Sequence, residues 1–235
     1  MGVSTLKKTC IAPYLGIVPY DVALKLQQES MQARAAGRIS DVMLLMQHPT
    51  VFTIGRFKGG EDITVPSWTL AREGIPVFLT DRGGGITYHG PGQLVGYPIV
   101  NLKENRLGVR EYIWKLEAAI IKMLLALGIR GYRLAGYPGV WANGKKVCSI
   151  GIHISHHITT HGFALNVTND LRFFEYVRPC GLPAQVMTSV SELLGHCVEI
   201  ERIIEEFLPS FSEAFRLDCE QENNGWLAIL NAQSG

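Results

Sequence analysis

The chain has 235 residues, 47% hydrophobic and 18% charged, with a net charge of +1. That much apolar material excludes a disordered chain, and near-neutrality argues against a general nucleic-acid binder, which needs a clustered basic surface. No apolar run reaches the ~18 residues of a membrane span, and Met1 to Thr9 lack the apolar core of a secretory signal, so a cytoplasmic protein is expected.

In chain order, apolar residues at Val22, Ala23, Leu26, Met31 and Ala33 predict a helix from Tyr20 to Gly37, with Asp21 as its cap and Gly37 as its stop. Short β-rich runs predict strands at 41–46, 51–54, 77–80 and 93–100. A second helix is predicted from Val109 to Leu127, with Ile113, Leu116, Ile120, Met123, Leu124 and Leu127 on one stripe. Strands follow at 139–142, 147–154 and 162–167, and Asn143-Gly144 reads as the tight turn between the first two. A third helix, Ile200 to Phe215, is expected to bend or break at Pro209. Hairpins interleaved with a few helices give an α/β (α+β) class around a mixed, mostly antiparallel sheet. One domain over residues 1–235 is expected, with about 180–235 as an extension or smaller lobe.

The segment Arg82-Gly83-Gly84-Gly85-Ile86-Thr87-Tyr88-His89-Gly90-Pro91-Gly92 holds five glycines in eleven residues, too many for an ordinary helix or strand. It neither opens a helix as G-x-G-x-x-G nor ends in Gly-Lys-Ser/Thr, so a nucleotide-phosphate cradle is not indicated. A run this dense lets backbone approach a ligand closely, and Arg82 and His89 flank it. Lys145-Lys146 leads into an Ile-rich strand, where a solvated pair is the plainer reading. Four of the seven histidines fall between His153 and His161. The stretch reads as strand–turn–strand, where helical ligand spacing has no meaning, so no metal is expected; His161-Gly162 reads as a turn into a pocket-lining strand.

The five cysteines are odd in number and form no C-x-x-C pair, which argues against a disulfide framework or zinc knuckle. Cys148, Cys197 and Cys219 read as structural. Cys180, between Pro179 and Gly181, must lie on a turn. From the residues alone, structural and catalytic roles for it are evenly balanced. A nucleophilic role needs a nearby cation, because a free thiol of pKa ~8.5 is mostly protonated at neutral pH. Residues 102–146 carry nine Lys and Arg against three Glu, either a solvated face or a surface steering an acidic partner.

Taken together, the segments Leu15-Gly16-x-x-x-Tyr20, His48-Pro49-Thr50-Val51-Phe52-Thr53-Ile54-Gly55-Arg56, the Arg82–Gln93 loop, Lys146-Val147-Cys148-Ser149-Ile150-Gly151, His161-Gly162-Phe163-Ala164-Leu165-Asn166 and Pro179-Cys180-Gly181 resemble the octanoyltransferase LipB family. The resemblance implies the biotin/lipoate protein ligase fold. It implies transfer of an octanoyl group from acyl carrier protein to a lysine of lipoyl domains, carried by 2-oxoacid dehydrogenase E2 subunits and the glycine-cleavage H protein, without a cofactor. It makes Cys180 and Lys146 the catalytic pair. Substrate contacts are expected from Arg82, Gly83, Gly84, Gly85, Ile86, Thr87, Tyr88 and His89, from Ser149, Ile150 and Gly151, and from His161, Gly162, Phe163 and Ala164. An ATP-using lipoate or biotin protein ligase would share the loop and the lysine without needing Cys180. A non-catalytic lipoyl-domain binder would need neither residue.

Overall fold

The computed structural model describes residues 8–57, 60–178 and 186–222. Two sheets organise them. The larger runs in the order β12 (Leu217–Glu220), β1 (Lys8–Ile11), β3 (Asp41–Gln47), β7 (Gln93–Ile99), β11 (Ile158–Asn166), β10 (Lys145–Ser155), β9 (Tyr137–Ala142) and β8 (Tyr132–Leu134), with β2 (Tyr14–Ile17) also paired to β3. From β3 to β8 every pairing is antiparallel, while β1, β2 and β12 add parallel pairs, which makes the sheet mixed and mostly antiparallel. The smaller sheet sets β4 (Val51–Ile54) between β5 (Val77–Leu79) and β6 (Ile86–His89). The α/β class and the three long helices thus match expectation.

Both faces of the large sheet are covered, so its central strands are apolar on both sides. Helix α1 (Tyr20–Ala35) packs against Val42, Leu44, Val95, Tyr97 and Ala164. Helices α3 (Val109–Ala126) and α5 (Ile200–Phe215) cover the other face, on Met43, Leu45, Leu94, Cys148, Phe163 and Leu165. Two short helices, α2 (Ser67–Arg72) and α4 (Val190–Leu194), were not legible as periodic patterns. The C-terminal elements belong to this architecture, since α5 packs on α3 and β12 pairs with β1.

Several local expectations change. Asp21 lies in the first turn of α1, and the position before the helix is Pro19. Val22 faces solvent, and the buried face carries Gln27, Ser30 and Arg34 instead. Arg34 is held by Asp41 at 2.8 Å and by Glu104. Pro209 does not interrupt α5, whose residues Ile203, Ile204, Phe207, Leu208, Phe211 and Phe215 form one buried stripe. The glycine-rich segment does contain a strand, β6, because Ile86–His89 pairs with β4 just after the glycines end. Cys197 is exposed, and Cys219 sits in β12 beside Cys10 of β1. The Asn143-Gly144 turn forms as expected, both residues having positive φ (48° and 77°). The β10–β11 hairpin turns through His156 and His157, also at positive φ (51° and 64°), which separates them from His153 and His161.

Candidate active site

The loop between β5 and β6 carries the three consecutive glycines, and main-chain bonds hold it from both sheets. Arg56 N donates to Arg82 O, Gly55 N to Gly85 O and Phe57 N to Gly84 O, at 3.0–3.2 Å. On the other side, Gly83 N donates to Ile152 O of β10 at 2.9 Å. The loop is therefore a roof tying the small sheet to the large one. Arg82 lies beneath it, its Nη2 donating to Thr53 O (2.7 Å) and Thr53 Oγ1 (2.9 Å) and its Nη1 to Gly83 O (3.1 Å).

Under the roof is a narrow slot of about 50 Å³, on the α1 face of the large sheet. At ~10–15 Å³ per water, that is room for a few waters. Its walls include Tyr20, Ile86, Val95, Tyr97, Phe163 and Ala164. It adjoins a vestibule of about 870 Å³ beside Phe57, Ile113, Tyr137, Pro138 and Arg178. Lys146, Gly83, Gly84, Ile150 and Gly151 border both spaces.

Lys146 reaches the slot through an irregularity in β10. Ser149 and Gly151 pair with Ala164 and Gly162 and share the α1 face, while Cys148 and Ile150 pair with Leu165 and Phe163 on the opposite face. Strict alternation would place Lys146 with Cys148, against the core. Between Lys146 and Cys148 the register against β9 slips by one, leaving Val147 as the extra residue. The bulge inverts the parity and brings Lys146 to the slot, only 3% exposed, while Lys145 stays in solvent. Its Nζ lies 5.9 Å from the centre of the Trp141 ring. Glu117 fixes the neighbouring strand, its Oε1 accepting from Gly139 N at 3.0 Å and its Oε2 from Arg133 Nε at 2.9 Å.

A chain of hydrogen bonds fixes the histidines behind the slot. Gln93 Nε2 donates to Asn166 Oδ1 (2.9 Å), so its Oε1 accepts from His89 Nδ1 (2.8 Å). Burial pushes the His89 pKa well down, which keeps its ring neutral. His48 Nδ1 donates to Val18 O and its Nε2 accepts from Tyr97 Oη, both at 2.7 Å. His161 donates its Nε2 proton to Asp81 Oδ1 at 2.7 Å, and its main-chain N–H to Gln27 Oε1.

These groups predict an acid-sensitive fold. Burial lowers the His48 pKa from 6.5 to about 4, so its stabilising contribution is full above 6.5 and is lost as pH falls through about 4. The hydrogen bond from His161 lowers the Asp81 pKa from 3.8 to about 2, so that contribution disappears only as pH falls from 3.8 towards 2. The urea midpoint is expected to drop between pH 7.5 and 5, and to drop less in His48→Gln. An equal drop in both proteins removes His48 from this account.

Of the residues expected at the site, Arg82, Gly83, Gly84, Ile86, Thr87, His89, Lys146, Ser149, Ile150, Gly151, His161, Gly162, Phe163 and Ala164 all line the slot. Gly85 lines the vestibule. Tyr88 is not among the lining residues; its ring lies in a separate apolar cluster, 5.2 Å from both Phe173 and Phe174. Along β6 it alternates with Thr87 and His89, so its ring points away from them and joins Ile86 in that cluster. Cys180 lies outside the described residues. Tyr20, Val95 and Tyr97 also line the slot, and nothing local in the sequence distinguishes them from core residues; Asp81, directly before Arg82, lies outside the slot and meets it only through His161. Among the described residues no three His, Cys, Asp or Glu side chains converge as a metal site, and no helix is long and apolar enough to cross a membrane.

The two-sheet arrangement is that of the lipoate protein ligases. A lipoate-protein ligase A crystallised with ATP superposes with a TM-score of 0.75 at 16% identity, covering 97% of this chain and 94% of that one. A putative lipoate protein ligase from T. acidophilum with bound lipoic acid gives 0.74 at 17%, over the same shares. At these identities the likeness is one of fold. Sequence carries the assignment further, because residues 19–212 match the family described as the lipoyl protein ligase A/B catalytic domain. A protein named octanoyltransferase from Alkaliphilus metalliredigens is 40% identical over 87% of this chain and 94% of its own. One of the same name from Caldicellulosiruptor saccharolyticus is 42% identical over 86% and 87%. The chain belongs to the lipoyl protein ligase A/B catalytic-domain family and is an acyltransferase.

Proposed function

We propose that this chain is an octanoyl-[acyl-carrier-protein]:protein N-octanoyltransferase, acting as one catalytic domain in the cytoplasm. It takes octanoyl from acyl carrier protein and delivers it to a lysine of lipoyl domains on 2-oxoacid dehydrogenase E2 subunits and the glycine-cleavage H protein. The observation that carries this reading is the buried amine of Lys146, turned by a bulge to the junction of a small, largely apolar slot and an open vestibule. Relatives named octanoyltransferase, 40% and 42% identical, support the octanoyl-transfer part of it.

In this mechanism the Lys146 ammonium stabilises the Cys180 thiolate. The thiolate attacks the donor thioester, and the carrier thiolate leaves with the proton of Lys146, giving an octanoyl-enzyme and a neutral Lys146 amine. Backbone N–H groups of Cys180 and of the Gly84–Ile86 region hold the oxyanion. The amine of Lys146 then takes a proton from the acceptor lysine, which attacks the acyl-enzyme and leaves as the amide. The slot takes the far part of the chain, where each buried methylene contributes about 0.8 kcal/mol. Acidic carrier proteins match the basic 102–146 stretch, whose Arg110, Arg130 and Lys145 are exposed, while Arg133 is occupied by Glu117 and stacks on Trp114.

The test is intact-mass spectrometry after mixing with octanoyl carrier protein. An adduct of about 126 Da is expected on the wild type and not on Cys180→Ser. An adduct that survives the substitution refutes the assignment. Amide formation from free octanoate and ATP, with no use of the carrier thioester, refutes the donor.

A further inference from the structure

The two halves of the proposed reaction differ in proton balance. Loading exchanges one thioester for another: the donor S–C bond breaks, the Cys180 S–C bond forms, and the thiol proton passes to the departing carrier. Delivery starts from an acceptor lysine that reaches the enzyme as an ammonium, its ordinary pKa being about 10.4. The N–C bond forms, the Cys180 S–C bond breaks, one proton returns to sulfur, and one more must leave for water. Delivery therefore releases one proton that loading does not.

Behind the slot lies a second cleft of about 290 Å³, between α1 and the β10–β11 hairpin. His161, 2% exposed, lines both spaces, whereas Asp81 and His153 line the cleft. Its Nε2 donates to Asp81 Oδ1 at 2.7 Å, which leaves Nδ1 as the basic nitrogen of the neutral ring. The other carboxylate oxygen, Oδ2, lies 3.4 Å from His153 Nε2, and the Asp81 side chain is 50% exposed. The ring is held at this wall by an unusual backbone. His161 has φ 54° within a strand, and its N–H, having no partner on β7, donates to Gln27 Oε1 at 2.7 Å. The groups facing His161 are Asp81 and Arg82 of the roof loop, His153 of β10, His89 of β6, Tyr97 of β7 and Gln27 of α1.

We propose that His161, Asp81 and His153 form the proton exit of the delivery half-reaction, leading from the acyl slot to solvent through the second cleft. His161 accepts the proton at Nδ1 from the slot, is held as the imidazolium by the Asp81 carboxylate, and gives up its Nε2 proton along that hydrogen bond to His153 or to water; exchange of the ring proton with solvent then restores the Nε2–H tautomer. Asp81 acts through His161 and is a positioning and relay residue. Burial lowers the His161 pKa, so the ring rests neutral and able to accept. The proposal rests on the octanoyl-transfer reading and adds to it a route and two residues, Asp81 and His153.

The experiment separates the halves. Loading is timed by quenched-flow mass spectrometry with octanoyl carrier protein. Delivery is timed from isolated octanoyl-enzyme to an apo lipoyl domain across pH 6–9, a range chosen about neutrality. In Asp81→Asn, delivery is expected to fall about 100-fold, to rise steeply with pH and to recover in part with imidazole buffer, while loading stays within about twofold. His153→Gln, which leaves the His161–Asp81 bond intact, is expected to slow delivery alone by about tenfold, with the same rescue. Equal slowing of both halves, or slowed delivery without a pH shift or buffer rescue, overturns the relay in favour of a structural role. If Asp81→Asn does not fold, His153→Gln decides by the same criteria. Failure of the wild type to form an octanoyl-enzyme at all refutes the transfer reading instead.

Discussion

Replacing Lys146 by Met is expected to cost turnover on the order of 10²–10⁴-fold, the range of a positioned acid–base group. The side chain is buried where the slot meets the vestibule, and the bulge at Val147 brings it there. A cation in that position has two separable tasks, holding a thiolate and exchanging a proton. Met does neither. Arg keeps the charge, but a guanidinium does not release its proton in proteins. Lys146→Met is therefore expected to raise the pH at which Cys180 is alkylated and to slow loading. Lys146→Arg should leave alkylation near the wild-type pH and still load octanoyl, then fail in delivery. Iodoacetamide profiles and single-turnover mass spectra read both. Identical alkylation profiles for all three proteins would remove this lysine from the sulfur chemistry.

Gly55→Ala is the second large effect. A Cβ there would stand 2.4 Å from Gly84 O and 2.9 Å from Arg82 O, and both contacts are backbone. The roof loop must lift, breaking the Gly55–Gly85 and Arg56–Arg82 bonds that seat it. A loss of about 1–3 kcal/mol of stability is expected, together with most of the activity. Gly83→Ala is the contrast within the same loop. Its Cβ would meet Ile152 O at an ordinary 3.5 Å, so stability should change by under about 0.5 kcal/mol. Urea unfolding of the two variants checks this. Equal stabilities would mean that the loop does not rest on Gly55.

Much of the site was legible because it is local in sequence. The glycine run, the strand Ser149-Ile150-Gly151 and the strand Gly162-Phe163-Ala164 each carry their signal within a few residues, and all three line the slot. Tyr20, Val95 and Tyr97 were not legible as walls. They sit on a helix end and a strand whose apolar pattern reads as ordinary core, and only the sheet order brings them beside Ile86 and Phe163. Tyr88 shows the converse. Its place in a dense motif suggested substrate contact, but the strand pleat turns it into the cluster with Phe52, Phe173 and Phe174. The four histidines looked like one group, and the turn at His156-His157 divides them.

By itself, the sequence determined the class of fold, the three long helices and the segments that build the slot. Those features follow from hydrophobic period and from glycine and proline chemistry, which act over a few neighbours. The tertiary structure alone decided which of two adjacent lysines is buried, because a one-residue slip against β9 reverses every side chain before it. It alone decided that Asp81 meets His161, eighty positions away in the chain, because the loop after β5 is seated on Ile152 of β10, the strand beside β11, a contact that leaves no periodic trace in either segment.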